Sequence, residues 1–323
     1  MPNSLFMYPN HSRGGVSAVL RGRAANDRSR MFYGIFDQDR RGEGIYDGLD
    51  NIETRVVRKD RQAAYLSYFC ENFDLDDVSI LSNPSAVEHF VDSRQLYLRY
   101  EFHSSDMKVI RKELDCLRID RVDEFVVPSE YMAERLEALG SLHVRRRLCI
   151  VPNQVDSTVF GTSGYSDFFN AEIVDRSNNI RPLVWVGRFD KGKGYTYLLR
   201  CLSLLPADFV AYVVVSLEED PLRAVDFISE AMTMGVSDRV RVLANLSPEL
   251  LANIYRSARD LNGYLVSTSL LESFGFSVAE ALACGLNVRA FDLPVWREHP
   301  MFETNGKAVD PGDVFSLAES LME

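Results

Sequence analysis

Short apolar runs alternate with helix-like stretches along almost the whole of this 323-residue chain. In the first half the runs are SLFMYP, MFYGIF, ETRVVR, DVSILS, QLYLRY, EFVVPS and RLCIVP; in the second they are PLVWVG, FVAYVVVS, RVRVLA, GYLVST and LNVRAF. Between them lie stretches with helical spacing, such as SEYMAERLEAL, SPELLANIYRSA and SFGFSVAEALAC. Strands fed through crossover helices predict parallel sheets, because a parallel pair needs a connection of a dozen residues or more. The chain is long enough to bury two cores. The expected architecture is therefore α/β, with two doubly wound Rossmann-like domains facing across a cleft, residues 1–155 and 156–323. Residues 160–181 lack periodicity and read as a linker with an irregular excursion.

One of these strands runs into a glycine-rich turn. PLVWVG is followed by Gly187-Arg188-Phe189-Asp190-Lys191-Gly192-Lys193-Gly194 and then by the helix-like YTYLLRCLSLL. A strand, a glycine turn and a helix aim backbone N–H groups and a helix dipole at an anion. Arg188 and Lys193 add two cations within reach of a diphosphate. A second segment, ESFGFSVAE, places Glu272 79 residues after Lys193 and Glu280 eight further on. These carboxylates stand two helical turns apart, or one at a helix start and one inside the helix. Carboxylates accept hydroxyl protons, which suits ribose and sugar hydroxyls. The combination suggests a nucleotide-sugar site. Gly14 and Gly15, in NHSRGGVSAVL after the first strand, open another helix in the same manner,.

These residues resemble retaining glycosyltransferases of family 4, which have the GT-B fold. Val151-Pro152-Asn153-Gln154-Val155-Asp156, with Phe160, is similar to the family's segment before the donor domain. Val127-Pro128-Ser129-Glu130-Tyr131, Ala281-Leu282-Ala283-Cys284-Gly285 and the stretch from Asn305-Gly306 to Leu317-Ala318 extend the likeness in order and spacing. The resemblance implies an N-terminal acceptor-binding domain and a C-terminal donor-binding domain. It implies a diphosphate held by Gly187, Arg188 and Lys193, with the Gly14–Gly15 loop approaching it. Glu272 would accept from hydroxyls of the transferred sugar, Glu280 from the ribose, and backbone N–H groups at Phe274, Gly275 and Phe276 would bind sugar or phosphate. His103, in RYEFHSS, would contact the transferred sugar, with His11 a weaker candidate. The nucleotide base would be read near Leu246-Ser247-Pro248, where the lack of an acidic side chain at Pro248 tilts the donor towards UDP over GDP. Family members run on into a further helix that VFSLAESLME is not followed by here.

Asp37 and Asp39 are the kind of pair that holds a divalent cation in the other large glycosyltransferase fold. They lie far in sequence from the clamp, and in GT-B enzymes cations and helix ends stabilise the leaving diphosphate. No metal and no cofactor besides the nucleotide sugar is expected. A GT-B epimerase, or a nucleotide-sugar-binding protein without transfer activity, remains an alternative.

Residues 1–160 hold 22 Lys/Arg against 25 Asp/Glu, and residues 161–323 hold 14 against 22. An acidic protein is a poor general binder of polyanions, which favours a saccharide or small-molecule acceptor. Against that trend, Arg13, Arg21, Arg23, Arg28 and Arg30 cluster near the first glycine loop. They read either as a solvated helix face or as an attractor for an anionic acceptor such as a lipid phosphate, sugar phosphate or nucleic acid. No apolar run approaches the roughly 18 residues of a membrane span. MPNSLFMYPN has no basic stretch before its apolar residues, so a signal peptide is not expected. Five scattered cysteines fit a reducing, cytoplasmic setting,.

Overall fold

The computed structural model describes residues 2–90, 96–139, 142–170, 180–216 and 222–323. The chain divides into two compact units, Met1–Asp156 and Ser157–Glu323. In the first, the order is β1 (Asn3–His11), α1 (Gly15–Asn26), β2 (Met31–Asp39), β3 (Ile52–Val56), α2 (Lys59–Asn72), β4 (Asp77–Leu81), β5 (Tyr97–Glu101), α3 (Met107–Cys116), β6 (Glu124–Val127), α4 (Glu130–Ala138), the short α5 (Leu142–Arg145) and β7 (Leu148–Ile150). The strands form one parallel sheet in the order β3-β2-β1-β4-β5-β6-β7. Asp156 stays with this unit because its carboxylate accepts from Arg21 of α1 at 2.7 Å, with both side chains buried. Asn26 adds a hydrogen bond to the Val155 carbonyl at 2.9 Å.

The second unit runs β8 (Arg181–Val186), α6 (Tyr195–Leu204), β9 (Phe209–Val215), α7 (Leu222–Thr233), β10 (Val240–Ala244), α8 (Pro248–Asp260), β11 (Tyr264–Ser267), α9 (Phe276–Ala283), β12 (Asn287–Phe291), α10 (Phe302–Asn305), β13 (Gly306–Val309) and α11 (Val314–Met322). Its parallel sheet has the order β10-β9-β8-β11-β12-β13. Residues 171–179 of the expected irregular excursion lie outside the described residues. The edge strand β13, GKAV, is too short and polar to stand out in the sequence.

Burial explains the strand composition. Every residue of β9, FVAYVVV, is buried, as required of a strand covered on both faces. Along β1, Leu5 and Met7 join the core made with Val78, Ile80 and Tyr100. Phe6 points to the opposite face, against Leu20 and Ala24 of α1 and Phe32 and Phe36 of β2,. Full burial of each such side chain contributes about 1.5–3 kcal/mol. The helices differ in how they start. Asp106, Ser129, Ser247 and Asp313 cap α3, α4, α8 and α11 by accepting from first-turn N–H groups. By contrast, α1, α6 and α9 begin at Gly14, Gly194 and Gly275, with no side-chain cap. Each sheet reverses its strand order once, between β1 and β4 and between β8 and β11. The crevice outside the carboxyl ends at such a reversal is where open α/β sheets bind ligands.

Candidate functional site

The two segments singled out in the second half follow β8 and β11, the strands on either side of the reversal. The turn after β8 is organised by Asp190. Its Oδ1 accepts from the Lys193 backbone N–H at 2.9 Å, and its Oδ2 lies 3.1 Å from Arg188 Nε. Gly194 then starts α6 at φ 65°. A Cβ there would come within 2.4 Å of the Thr268 carbonyl oxygen, so a side chain would push the loop after β11 off the turn. The two loops are stitched directly: the Leu270 N–H donates to the Gly192 carbonyl at 2.8 Å. Thr268 Oγ1 donates to the Lys193 carbonyl at 3.0 Å and accepts from the buried Trp185 indole at 3.0 Å.

This stitching brings the Lys193 ammonium onto the Glu272 carboxylate, with side-chain exposures of 23% and 12%. Ser269 Oγ donates to the same Glu272 oxygen at 2.7 Å. Arg188 remains 57% exposed, so its pair with Asp190 is a weak surface contact that a phosphate can outcompete. Gly187, between Trp185 and Lys193, carries the chain out of β8.

Glu272 sits in the loop and Glu280 inside α9, so the second of the two sequence geometries is the one adopted. Glu280 is 9% exposed. Burial, with the Glu280 carboxylate adding to it, pushes the Tyr255 phenol well above its usual value. Gly275 starts α9 at φ 81°, and a Cβ there would meet the Trp296 ring at 2.3 Å. The His299 ring stands 4.8 Å from Phe274, which in turn lies 4.8 Å from Phe276. Burial lowers the His299 pKa. As a carbonyl only accepts, His299 Nε2 donates to the Phe274 carbonyl, at 2.7 Å,. Phe274, Gly275 and Phe276 are thereby fixed at a helix N-terminus. Leu246 follows β10 through Asn245, at φ 56°, and precedes the α8 cap Ser247. Asp190, Ser269, Thr268 and His299 carry no signal in the sequence beyond proximity to the motifs. Their roles come from contacts made across the sheet.

In the first unit, Gly14 is the N-cap of α1 and both Gly14 and Gly15 are exposed. His103 follows β5, its imidazole 6% exposed and its Nε2 2.9 Å from Glu101 Oε2. Arg23 grips the same carboxylate with a two-point fork at 2.7 and 2.8 Å. Burial alone would push the Glu101 carboxyl up; Arg23 and His103 reverse this and hold it well below the usual carboxylate range. His11 Nδ1 lies 3.3 Å from Asp39 Oδ1. Asp37 instead accepts from Gln62 at 2.7 Å and pairs with Lys59 at 3.4 Å. The two aspartates thus serve separate protein partners, and among the described residues no cluster of His, Cys, Asp and Glu could hold a metal ion.

Most of the arginine cluster is neither a solvated face nor an open cationic patch, Arg28 being the solvated exception. Arg21 is buried on Asp156, Arg23 is locked on Glu101, and Arg30 pairs with Asp77 at 3.2 Å and donates to Ser4 Oγ at 2.7 Å. Arg28 pairs with the exposed Asp50 at 3.0 Å. Arg13 donates to the Glu43 carbonyl at 2.6 Å and the Arg41 carbonyl at 3.4 Å. Only Arg21 and Arg23 lie within α1, and it is acids distant in sequence, on β4, β5 and at Asp156, that decide the roles of Arg30, Arg23 and Arg21.

Two parallel-sheet α/β units of this topology are the fold of GT-B glycosyltransferases. Anabaena HepE, solved in complex with UDP-glucose, superposes with a TM-score of 0.80 at 18% identity, covering 100% of this chain and 89% of that one. Residues 172–323, which hold the whole site of the second unit, match the family model described as Glycosyl transferases group 1. Among curated proteins, a D-inositol 3-phosphate glycosyltransferase of Mycolicibacterium smegmatis is 30% identical over 205 residues, 64% of this chain and 46% of that protein. A phosphatidyl-myo-inositol mannosyltransferase of the same organism is 31% identical over 195 residues, 58% of this chain and 44% of that protein. The chain spans less than half the length of these curated relatives. No described helix is long and apolar enough to cross a membrane.

Proposed function

We propose that this protein is a family 4 glycosyltransferase that moves a hexose from a UDP-linked sugar to an acceptor hydroxyl, retaining the anomeric configuration and using no metal ion. The reading is carried by the cluster of Asp190, Arg188, Lys193 and Glu272 at the strand-order reversal of the second unit, inside the matched residues. Arg188 and Lys193 match the charge that develops on a departing diphosphate, and the uncapped N-termini of α6 and α9 offer N–H groups to its oxygens. These groups supply the stabilisation that a divalent cation would otherwise provide. Glu272 and Glu280 accept from hydroxyls of the transferred sugar and the ribose.

Glu272 is already held by Lys193 and Ser269, which suits orienting a hydroxyl better than attacking carbon. A front-face displacement follows. The bond from the sugar carbon to the phosphate oxygen breaks, the bond to the acceptor oxygen forms on the same face, and the acceptor proton passes to the leaving phosphate. The UDP preference draws support from HepE, solved with UDP-glucose, and from Pro248 beside Leu246. The acceptor is a saccharide or small polyhydroxylated molecule; the curated relatives' names share the polyol inositol with this reading, though in both names the inositol carries a phosphate. The thiols of Cys70, Cys116, Cys149, Cys201 and Cys284 are free, which fits a cytoplasmic protein.

The test is transfer from UDP-glucose to a panel of saccharides and polyols, with product stereochemistry read by NMR in excess EDTA. An α-linked product formed in EDTA is expected. A β-linked product, or activity lost to EDTA and restored by manganese, refutes the mechanism.

A further inference from the structure

The loop between β2 and β3, residues 40–51, folds back towards the end of β1. Gly42 packs so closely that a Cβ there would meet the His11 carbonyl carbon at 2.7 Å. The loop takes left-handed backbone at Arg41, Gly44 and Gly48, and Arg13 holds it from behind through the carbonyls of Arg41 and Glu43. Between this loop and the strand ends lies a cavity of about 450 Å³, within the roughly 300–1,000 Å³ of small-molecule sites.

The lining carries a defined chemistry. His11, Glu43, Tyr46, Asp47 and Thr54 contribute to it, and no lysine or arginine does. The Tyr46 ring stacks on His11 at 6.0 Å and 22°, giving one wall an aromatic surface. The carboxylates of Glu43 and Asp47 make no hydrogen bond or ion pair among the described residues. Aromatic surface takes the C–H face of a sugar ring, and free carboxylates accept from its hydroxyls. The same carboxylates oppose an anion. Each unit-charge pair at contact distance costs roughly fivefold in affinity in water, and a phosphate ester would face two such carboxylates. Arg21 is neutralised by Asp156, whereas Arg13 spends its donors on two neutral carbonyls of this loop, so its charge offsets only part of that repulsion.

We propose that this cavity binds a neutral polyhydroxylated ligand, a saccharide or polyol carrying no phosphate. Given the proposed transferase reading, it holds the acceptor.

The test uses the full chain without donor, so it does not depend on turnover. Saturation-transfer NMR would measure binding of myo-inositol, methyl α-glucoside and D-mannose beside inositol 3-phosphate, glucose 6-phosphate and mannose 6-phosphate. At least one neutral probe is expected to bind in the millimolar range, with its phosphate ester weaker by about tenfold or more. In the double variant Glu43→Gln, Asp47→Asn, both changes lying in an exposed loop, neutral binding weakens and the discrimination against phosphate shrinks. The assignment is overturned if no neutral probe binds, if a phosphate ester binds as tightly as its parent, or if the double variant changes nothing. Calorimetry with UDP on the same preparation separates the two readings. UDP binding without polyol binding refutes the cavity assignment alone, and polyol binding without UDP binding refutes the donor site alone.

Discussion

Lys193→Ala tests the proposed donor site most directly, because this side chain would be shared between Glu272 and a bound diphosphate. Without ligand its ammonium is paired with Glu272, both groups being less than a quarter exposed. A bound diphosphate would draw on the same charge. Removing it deletes a charge-assisted hydrogen bond of about 1.5–3 kcal/mol, a loss of roughly 10- to 150-fold in UDP affinity. Among the described residues it also leaves Glu272 held only by Ser269, an uncompensated negative charge near the phosphates that adds about 1 kcal/mol of repulsion. Glu272→Gln on its own removes the competitor, so UDP affinity should stay level or tighten by about fivefold while transfer slows. The double variant should then bind UDP better than Lys193→Ala alone. Calorimetric titration with UDP measures all three. The reasoning is refuted if Lys193→Ala leaves the dissociation constant unchanged, or if Glu272→Gln weakens UDP binding as much as Lys193→Ala.

Other expectations follow from neighbouring residues. Glu280→Gln should weaken UDP by about 1.5–3 kcal/mol and abolish the preference for UDP over its 2′,3′-dideoxy analogue; a preference kept in the variant would exclude a ribose contact. Gly275→Ala combines a left-handed φ of 81° with a Cβ 2.3 Å from Trp296, so it should cost about 1–3 kcal/mol or more and lower the melting temperature; an unchanged melting curve would show that α9 starts differently. Glu113, buried beneath Tyr100, has its carboxyl pushed up from 4.5 to about 7 by burial. The folded state therefore binds the extra proton between those values, and stability should fall as pH rises from about 4.5 to 7 and level off above,. With an upper bound of roughly 3–4 kcal/mol on this term,, Glu113→Gln should flatten the decline in thermal-melting profiles, and an identical decline in the variant would assign it to another group.

The fold class and the residue types of the proposed donor site are written locally in the chain. Apolar runs such as FVAYVVVS can be satisfied only as strands buried on both faces, and their alternation with helices enforces parallel pairing. The glycines at Gly14, Gly194 and Gly275 announce helix starts without side-chain caps, because backbone freedom is a property of the residue itself. Arg188, Lys193, Glu272 and Glu280 are likewise visible as residue types at fixed spacing. Tertiary structure decided the pairings. Lys193 and Glu272 are 79 residues apart, and only the adjacency of β8 and β11 brings their loops into contact. Asp190 and His299 acquired roles the same way, through hydrogen bonds to the backbone of the two motifs. The arginines of α1 show how far a local signal can mislead. A run of cations reads alike whether it faces water, a ligand or a buried carboxylate. Glu101 and Asp156, which claim Arg23 and Arg21 from 78 and 135 residues away, supply the answer because a buried charge requires a partner wherever the fold provides one,.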